Sequence, residues 1–199
     1  LDAVSSNVAS NPLMRLSFTV LDSASNLSTA FDDLQTKAAN GQIDSINIDP
    51  SDTDPITLTA DQIGSDSKAI AKLASGTAVK IDDTAQNILD NIADVKLLKA
   101  NSGVTLTVAP NDSSPPDLTV ANMKDIMFVT DSTLGSFTYN IADHIGNIIK
   151  EATSDANGII AGAAAVTASE TDPVNLTHDQ VTLLSGLSNM TMPTYYNEV

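Results

Sequence analysis

The chain has 199 residues, a formal charge of −16 from 25 acidic and nine basic side chains, no cysteine, and only 4% aromatic residues. So few cations exclude the clustered positive charge that nucleic acid or an anionic membrane surface requires, and no apolar run approaches the ~20 residues of a membrane span. Two histidines and no thiol leave little for nucleophilic or zinc chemistry.

In chain order, Leu16 to Leu21 alternates apolar and polar residues and is predicted to be the last strand of a partial unit, 1–21. A helix is predicted from Asp22, with Leu27, Phe31 and Leu34 inward and a stop near Gly41. Ile43 to Ile48 reads as a strand, Asp49 to Pro55 as a loop, and Ile63, Ile70 and Leu73 mark a second helix that Gly76 ends. Thr77 to Ile81 is a strand. Asp83 is expected to cap the next helix through its carboxylate; that helix carries Ile88, Leu89, Ile92, Val95 and Leu98 on one face, with Leu97 beside them. It stops at Asn101-Ser102-Gly103, with Gly103 read as a left-handed cap.

Val104 to Val108 is then a strand and Pro110 to Pro116 a loop whose prolines forbid helix and ladder alike. Leu118 to Val120 is briefly extended. Ala121 to Thr133 reads as a helix with Met123, Ile126, Met127 and Leu134 inward, and Ser136 to Ile141 as a strand. A helix follows Asp143, then a strand over Ala164 to Ala168, a loop at Thr171-Asp172-Pro173, a helix over His178 to Leu187 and a closing strand over Pro193 to Val199.

This order recurs with a fixed period. Asp22-Ser23-Ala24-Ser25-Asn26-Leu27 returns as Asp83-Thr84-Ala85-Gln86-Asn87-Ile88 and as Asp143-His144-Ile145-Gly146-Asn147-Ile148, at steps of 61 and 60 residues. Leu58-Thr59-Ala60-Asp61-Gln62-Ile63 returns at Leu118 and Leu176, at steps of 60 and 58. Three repeats result, 22–82, 83–142 and 143–199. Self-similarity at this period marks a repeat architecture in which each unit buries its apolar face against the next. Strands separated by helices favour parallel pairing. The expected fold class is therefore α/β, a solenoid-like stack of helix-strand-loop-helix-strand units. The alternative is one compact α/β domain whose segments resemble one another.

The motif pair Asp83-Thr84-Ala85-Gln86-Asn87-Ile88 and Leu-Thr-x-Asp-Gln, at Leu58 and Leu176, resembles the repeats of very large bacterial surface proteins. The resemblance covers the chain from about Leu16. It implies a type I-secreted adhesin, a surface-layer protein or an extracellular matrix component. The chain departs from that pattern in lacking the Gly-Gly-x-Gly-x-Asp nonapeptides that bind calcium in many such proteins. A cysteine-free repeat is compatible with an extracellular or cell-surface location, since neighbouring units brace one another without disulfides. The opening Leu1-Asp2-Ala3 fits either a removed leader or a piece of a longer chain.

Candidate sites are few. Asp49, Asp52 and Asp54 lie in one Pro-bounded loop and could offer oxygen ligands to calcium; the same residues are ordinary turn chemistry. Asp112, Asp117, Glu170 and Asp172 occupy the matching loops. His144 and His178 stand where sister repeats carry Thr84 or Ala60, so they read as exposed helix starts rather than bases of a hydrolase. No catalytic and no cofactor-binding residue is expected. Thr194, Tyr195, Tyr196 and Val199 belong to a closing strand that either caps the chain or pairs with another copy. The expectation is a non-enzymatic protein that assembles with itself, without nucleic acid or membrane insertion. A module of a larger adhesin that holds a carbohydrate or host surface is the alternative.

Overall fold

A computed structural model describes residues 16–101, 103–154, 158–193 and 196–199. The partial unit 1–21 is thus described only from Leu16, and Ser102, Thr194 and Tyr195 lie outside the described residues. The chain forms two compact α/β units, 1–109 and 110–199.

The first unit contains β1 (Phe18–Asp22), α1 (Ala24–Thr29), α2 (Phe31–Ala39), β2 (Ile43–Ile48), β3 (Ile56–Leu58), α3 (Ala60–Ser65), α4 (Ser67–Ile70), β4 (Thr77–Asp83), α5 (Ala85–Asp90) and α6 (Ile92–Ala100), and ends in β5 (Val104–Pro110). The second contains β6 (Asp117–Leu118), α7 (Val120–Val129), β7 (Asn140–Asp143), α8 (Ile145–Ser154), α9 (Ile159–Gly162), β8 (Ala165–Ala168), β9 (Val174–Leu176), α10 (His178–Ser185), β10 (Met190–Thr191) and β11 (Tyr196–Glu198).

The pairs β1·β2, β3·β4, β6·β7, β7·β8, β8·β10 and β9·β11 are parallel, and a single helical crossover separates the two strands of each. Phe18 lies opposite Ile43, Leu58 opposite Ile81, Leu118 opposite Ile141, Ile141 opposite Val166, Val166 opposite Met190 and Leu176 opposite Glu198. β5 lies on the far side of β4. Partners stand less than half the 60-residue sequence period apart. The period therefore holds two half-modules, each a strand followed by helix, and the two sequence markers are the two helix starts.

Those starts share one local rule. Ser23, Thr59, Thr84, Thr119 and Thr177 take extended backbone, and each hydroxyl accepts the N–H three residues on, from Asn26, Gln62, Asn87, Asn122 and Gln180. At Thr59 and Thr177 the glutamine side chain returns to the cap N–H, completing a capping box. The cap of α5 is thus Thr84, not Asp83 as the sequence predicts. In β4 the inward residues alternate as Thr77, Val79, Ile81 and Asp83; the pleat carries Asp83 to the buried side.

Three further expectations change. The helix after Asp83 is two segments, broken at Asn91, whose side-chain Nδ2 donates to Asp61 Oδ1 at 2.8 Å and to the Asn87 carbonyl at 3.1 Å. Gly103 does not adopt the left-handed region; its N–H donates to Asn101 Oδ1 at 3.0 Å. Gly41 and Gly76 do adopt it, at φ 71° and 86°. Ser136 to Tyr139 is not strand. Phe137 N–H turns back to the Leu134 carbonyl at 2.9 Å, and its ring stacks on Tyr139 with centroids 6.0 Å apart.

Each unit has its own core. Leu27, Phe31, Ile46, Ile56, Leu58, Ile81 and Ile88 are buried in the first, and Leu118, Met123, Ile126, Ile141, Ile148 and Val166 in the second. Helices pack on those of the next half-module, α2 on α4 and α3 on α6, and α10 on α8. Polar side chains tie the helix layer at the same step. Gln62 Nε2 donates to Asp32 Oδ1 at 2.7 Å, and the Lys68 and Ala69 N–H groups donate to Gln35 Oε1 at 2.9 Å.

Candidate functional site

The repeated aspartate joins one half-module to the one before it. Asp83 Oδ1 accepts the N–H of Thr84 at 2.8 Å and Asn87 Nδ2 at 2.7 Å, while Oδ2 accepts the N–H of Ala60 at 3.0 Å. Asp143 repeats this with His144 N–H at 2.7 Å, Asn147 Nδ2 at 2.9 Å and Val120 N–H at 2.9 Å. Ala60 and Val120 are the first residues of α3 and α7. One carboxylate thus braces its own helix start and satisfies an orphan N–H of the preceding one. At the intervening junctions a loop acid does the second task. Asp52 Oδ2 accepts from Ala24 N–H at 2.7 Å, and Glu170 Oε1 from Ile145 N–H at 2.5 Å.

Asp143 is buried, which by itself would raise its pKa. The hydrogen bonds from Asn147, Val120 and His144, with the positive field of His144, together hold it below the ordinary carboxylate value. A carboxylate held low in the folded state stabilises the fold above its unfolded pKa, and that contribution is lost as pH falls through the folded value.

The structure gives the Asp49, Asp52 and Asp54 loop a conformational role. Asp49 Oδ1 accepts from Ser51 N–H at 2.8 Å and Ser51 Oγ at 2.7 Å, which lowers its pKa. Asp52 Oδ1 accepts from Asp54 N–H at 2.9 Å. These are turns closed by side chains, and the three carboxylates do not converge as a ligand set. Among the described residues no group of three or more His, Asp or Glu side chains is placed to hold a metal ion. Asp52 as a cap for α1 is a role that the sequence reading missed; no local pattern marks a contact 28 residues away.

His144 and His178 both stand at helix starts. Their side chains are 76% and 81% exposed, with Nδ1 at 3.5 Å from Glu170 Oε1 and 2.7 Å from Glu198 Oε1 respectively. Of the closing-strand residues, Tyr196 is 38% and Val199 75% exposed; Tyr196 to Glu198 run parallel to Val174 to Leu176, and the Val199 N–H donates to the Leu176 carbonyl at 2.9 Å.

Two other features stand out. An open apolar groove of about 360 Å³ lies between α3, α4 and α6, lined by Ile63, Ile70, Leu97 and Leu98 with Asp94 at its rim. At the α3–α4 junction Asp66 is buried, with Oδ1 accepting from Ser65 Oγ at 2.9 Å and Oδ2 unpartnered among the described residues. Burial raises its pKa against the smaller pull of the Ser65 hydrogen bond, and the neighbouring Asp32 carboxylate raises it further. The folded state thus holds this proton more tightly than the unfolded chain, so stability falls as pH rises through that interval. Asp66→Asn, which keeps the shape without the charge, is expected to stabilise the protein at neutral pH by about 1 kcal/mol and to flatten that part of the profile. Thermal unfolding across pH checks it.

No family model, curated protein or solved structure matches this chain.

Proposed function

We propose that this chain is a non-enzymatic, exported structural protein that builds an extracellular assembly, such as a filament, surface layer or adhesive stalk, by stacking its α/β modules in a solenoid-like row. The observation that carries the reading is the self-complementarity of the half-module. Strand edges and shared carboxylates that join one half-module to the next within each unit are the same groups that would join one copy to another. Non-closing contact between unlike ends generates open polymers. A place outside the cell rests on the acidic, cysteine-free composition and on the resemblance of the two motifs.

Electron microscopy of purified protein tests the reading. Elongated particles are expected at physiological salt, where the charge of −16 is screened. They are expected to survive a calcium chelator, because N–H donors occupy Asp49 and Asp52. The apolar groove beside Leu97 favours a second reading, a binding module of a larger adhesin. A monodisperse monomer that retains a glycan or host protein would establish that reading in place of the first.

A further inference from the structure

The register of the sheets shows which strand belongs on which. In β3·β4·β5 and β6·β7·β8 a middle strand that ends in the repeated aspartate is flanked by a strand on both edges. Its apolar residue two places before that aspartate, Ile81 or Ile141, lies opposite Leu58 or Leu118 and is fully buried. The aspartate then caps the helix that follows the first strand.

β11 occupies the middle position on β9 but carries the wrong residues for it. Opposite Leu176 it places Glu198, where its sisters have isoleucine, and all three of its residues are exposed. Among the described residues no carboxylate accepts the His178 N–H, the group equivalent to those of Ala60 and Val120. β1 carries the full pattern. Phe18, Val20 and Asp22 stand at the places of Val79, Ile81 and Asp83, and the Asn26 side chain donates to Asp22 Oδ1 as Asn87 does to Asp83. Its flanking partner β2 corresponds to β5 and β8, with Val20 opposite Ile46 as Ile141 is opposite Val166. Yet among the described residues β1 is paired on one edge only, and Leu21 is 58% exposed.

We infer that β11 is a placeholder and that two copies join head to tail by strand exchange. β1 of a second copy displaces β11 from β9, rebuilding the three-stranded pattern as β9·β1·β2 across the junction. Leu176 then meets Val20 and Ile46 of the incoming copy in one apolar layer, and its Asp22 accepts the His178 N–H. The inference rests on the assembly reading above and specifies its joint. Tyr196 and Val199 act there as the residues that leave, and the closing strand slows assembly instead of making its contacts.

The cysteine-free sequence makes the test direct. Thr19 of the incoming copy falls opposite Asn175, as Lys80 does opposite Thr57, at the strand spacing of about 4.8 Å that a disulfide tolerates. Thr19→Cys and Asn175→Cys, made in separate copies and mixed under mild oxidation, are expected to give one disulfide-linked heterodimer. Truncation after Pro193 is expected to raise its yield roughly tenfold, by removing the competing strand. Asn175→Cys with Asn197→Cys in one copy, a pair already in register, locks β11 in place and is expected to abolish elongation. Filaments without the heterodimer, or filaments from the locked protein, overturn strand exchange while leaving self-assembly standing. Monomers alone from the intact chain, the truncated chain and the cysteine mixture overturn both.

Discussion

Ile81→Ala is expected to lower stability by about 4 kcal/mol, and Ile141→Ala by a similar amount. Both side chains are fully buried, in strands that have a neighbour on each edge and a helix layer above. Truncation removes their transfer free energy and leaves a cavity that a sheet held on both sides cannot close. Glu198→Ala occupies the same register place on β9 and is expected to change stability by less than about 0.5 kcal/mol. Urea denaturation followed by circular dichroism measures all three. An equal loss at Glu198 would mean that β11 packs on β9 as tightly as β4 packs on β3, against its exposed residues.

Asp83→Ala is expected to cost about 3 kcal/mol, more than the roughly 1 kcal/mol of an ordinary cap such as Thr84→Ala. The difference follows from geometry. Alanine leaves Thr84 N–H, Asn87 Nδ2 and Ala60 N–H without their acceptor, and Ala60 is buried, so water cannot replace the carboxylate there. Asp22→Ala removes bonds to Ser23 and Asn26 within an exposed strand end, and about 1 kcal/mol is expected. For Asp143 the same logic sets a pH dependence. Its pKa is held low, so Asp143→Asn is expected to weaken the protein at neutral pH and to remove part of the stability that the parent loses in acid. Thermal unfolding between neutral and acid pH, parent against variant, resolves the two effects.

Much of the fold was legible because the period is written in local chemistry. Ile43 to Ile48 has the same bounds in sequence and structure, since three isoleucines in six residues stand between a glycine and a Pro-bounded loop. Leu27, Phe31 and Leu34 were read as inward and are buried. The strands Ile56–Leu58 and Val174–Leu176 are not legible in the sequence; three residues carry too little alternation to separate a strand from the end of a loop. Asp83 and Thr84 are equally good caps by residue type, so the sequence does not separate them. The choice is made by the pleat of β4, which turns Asp83 inward, and no helix rule contains that information. The loop acids resemble cation ligands for a related reason. Carboxylates in a turn look alike in sequence whether their acceptor oxygens face an ion or an N–H from 28 residues earlier.

The half-module step also bears on how such a protein is made. The strand pairings and side-chain bonds that join one half-module to the next link residues between 22 and 34 positions apart, so none of them requires the chain to close a long loop. The entropic cost of each closure is correspondingly small, and a topology built from near neighbours in sequence folds quickly. Each half-module can therefore order as soon as its successor has been synthesised, without waiting for the distant terminus.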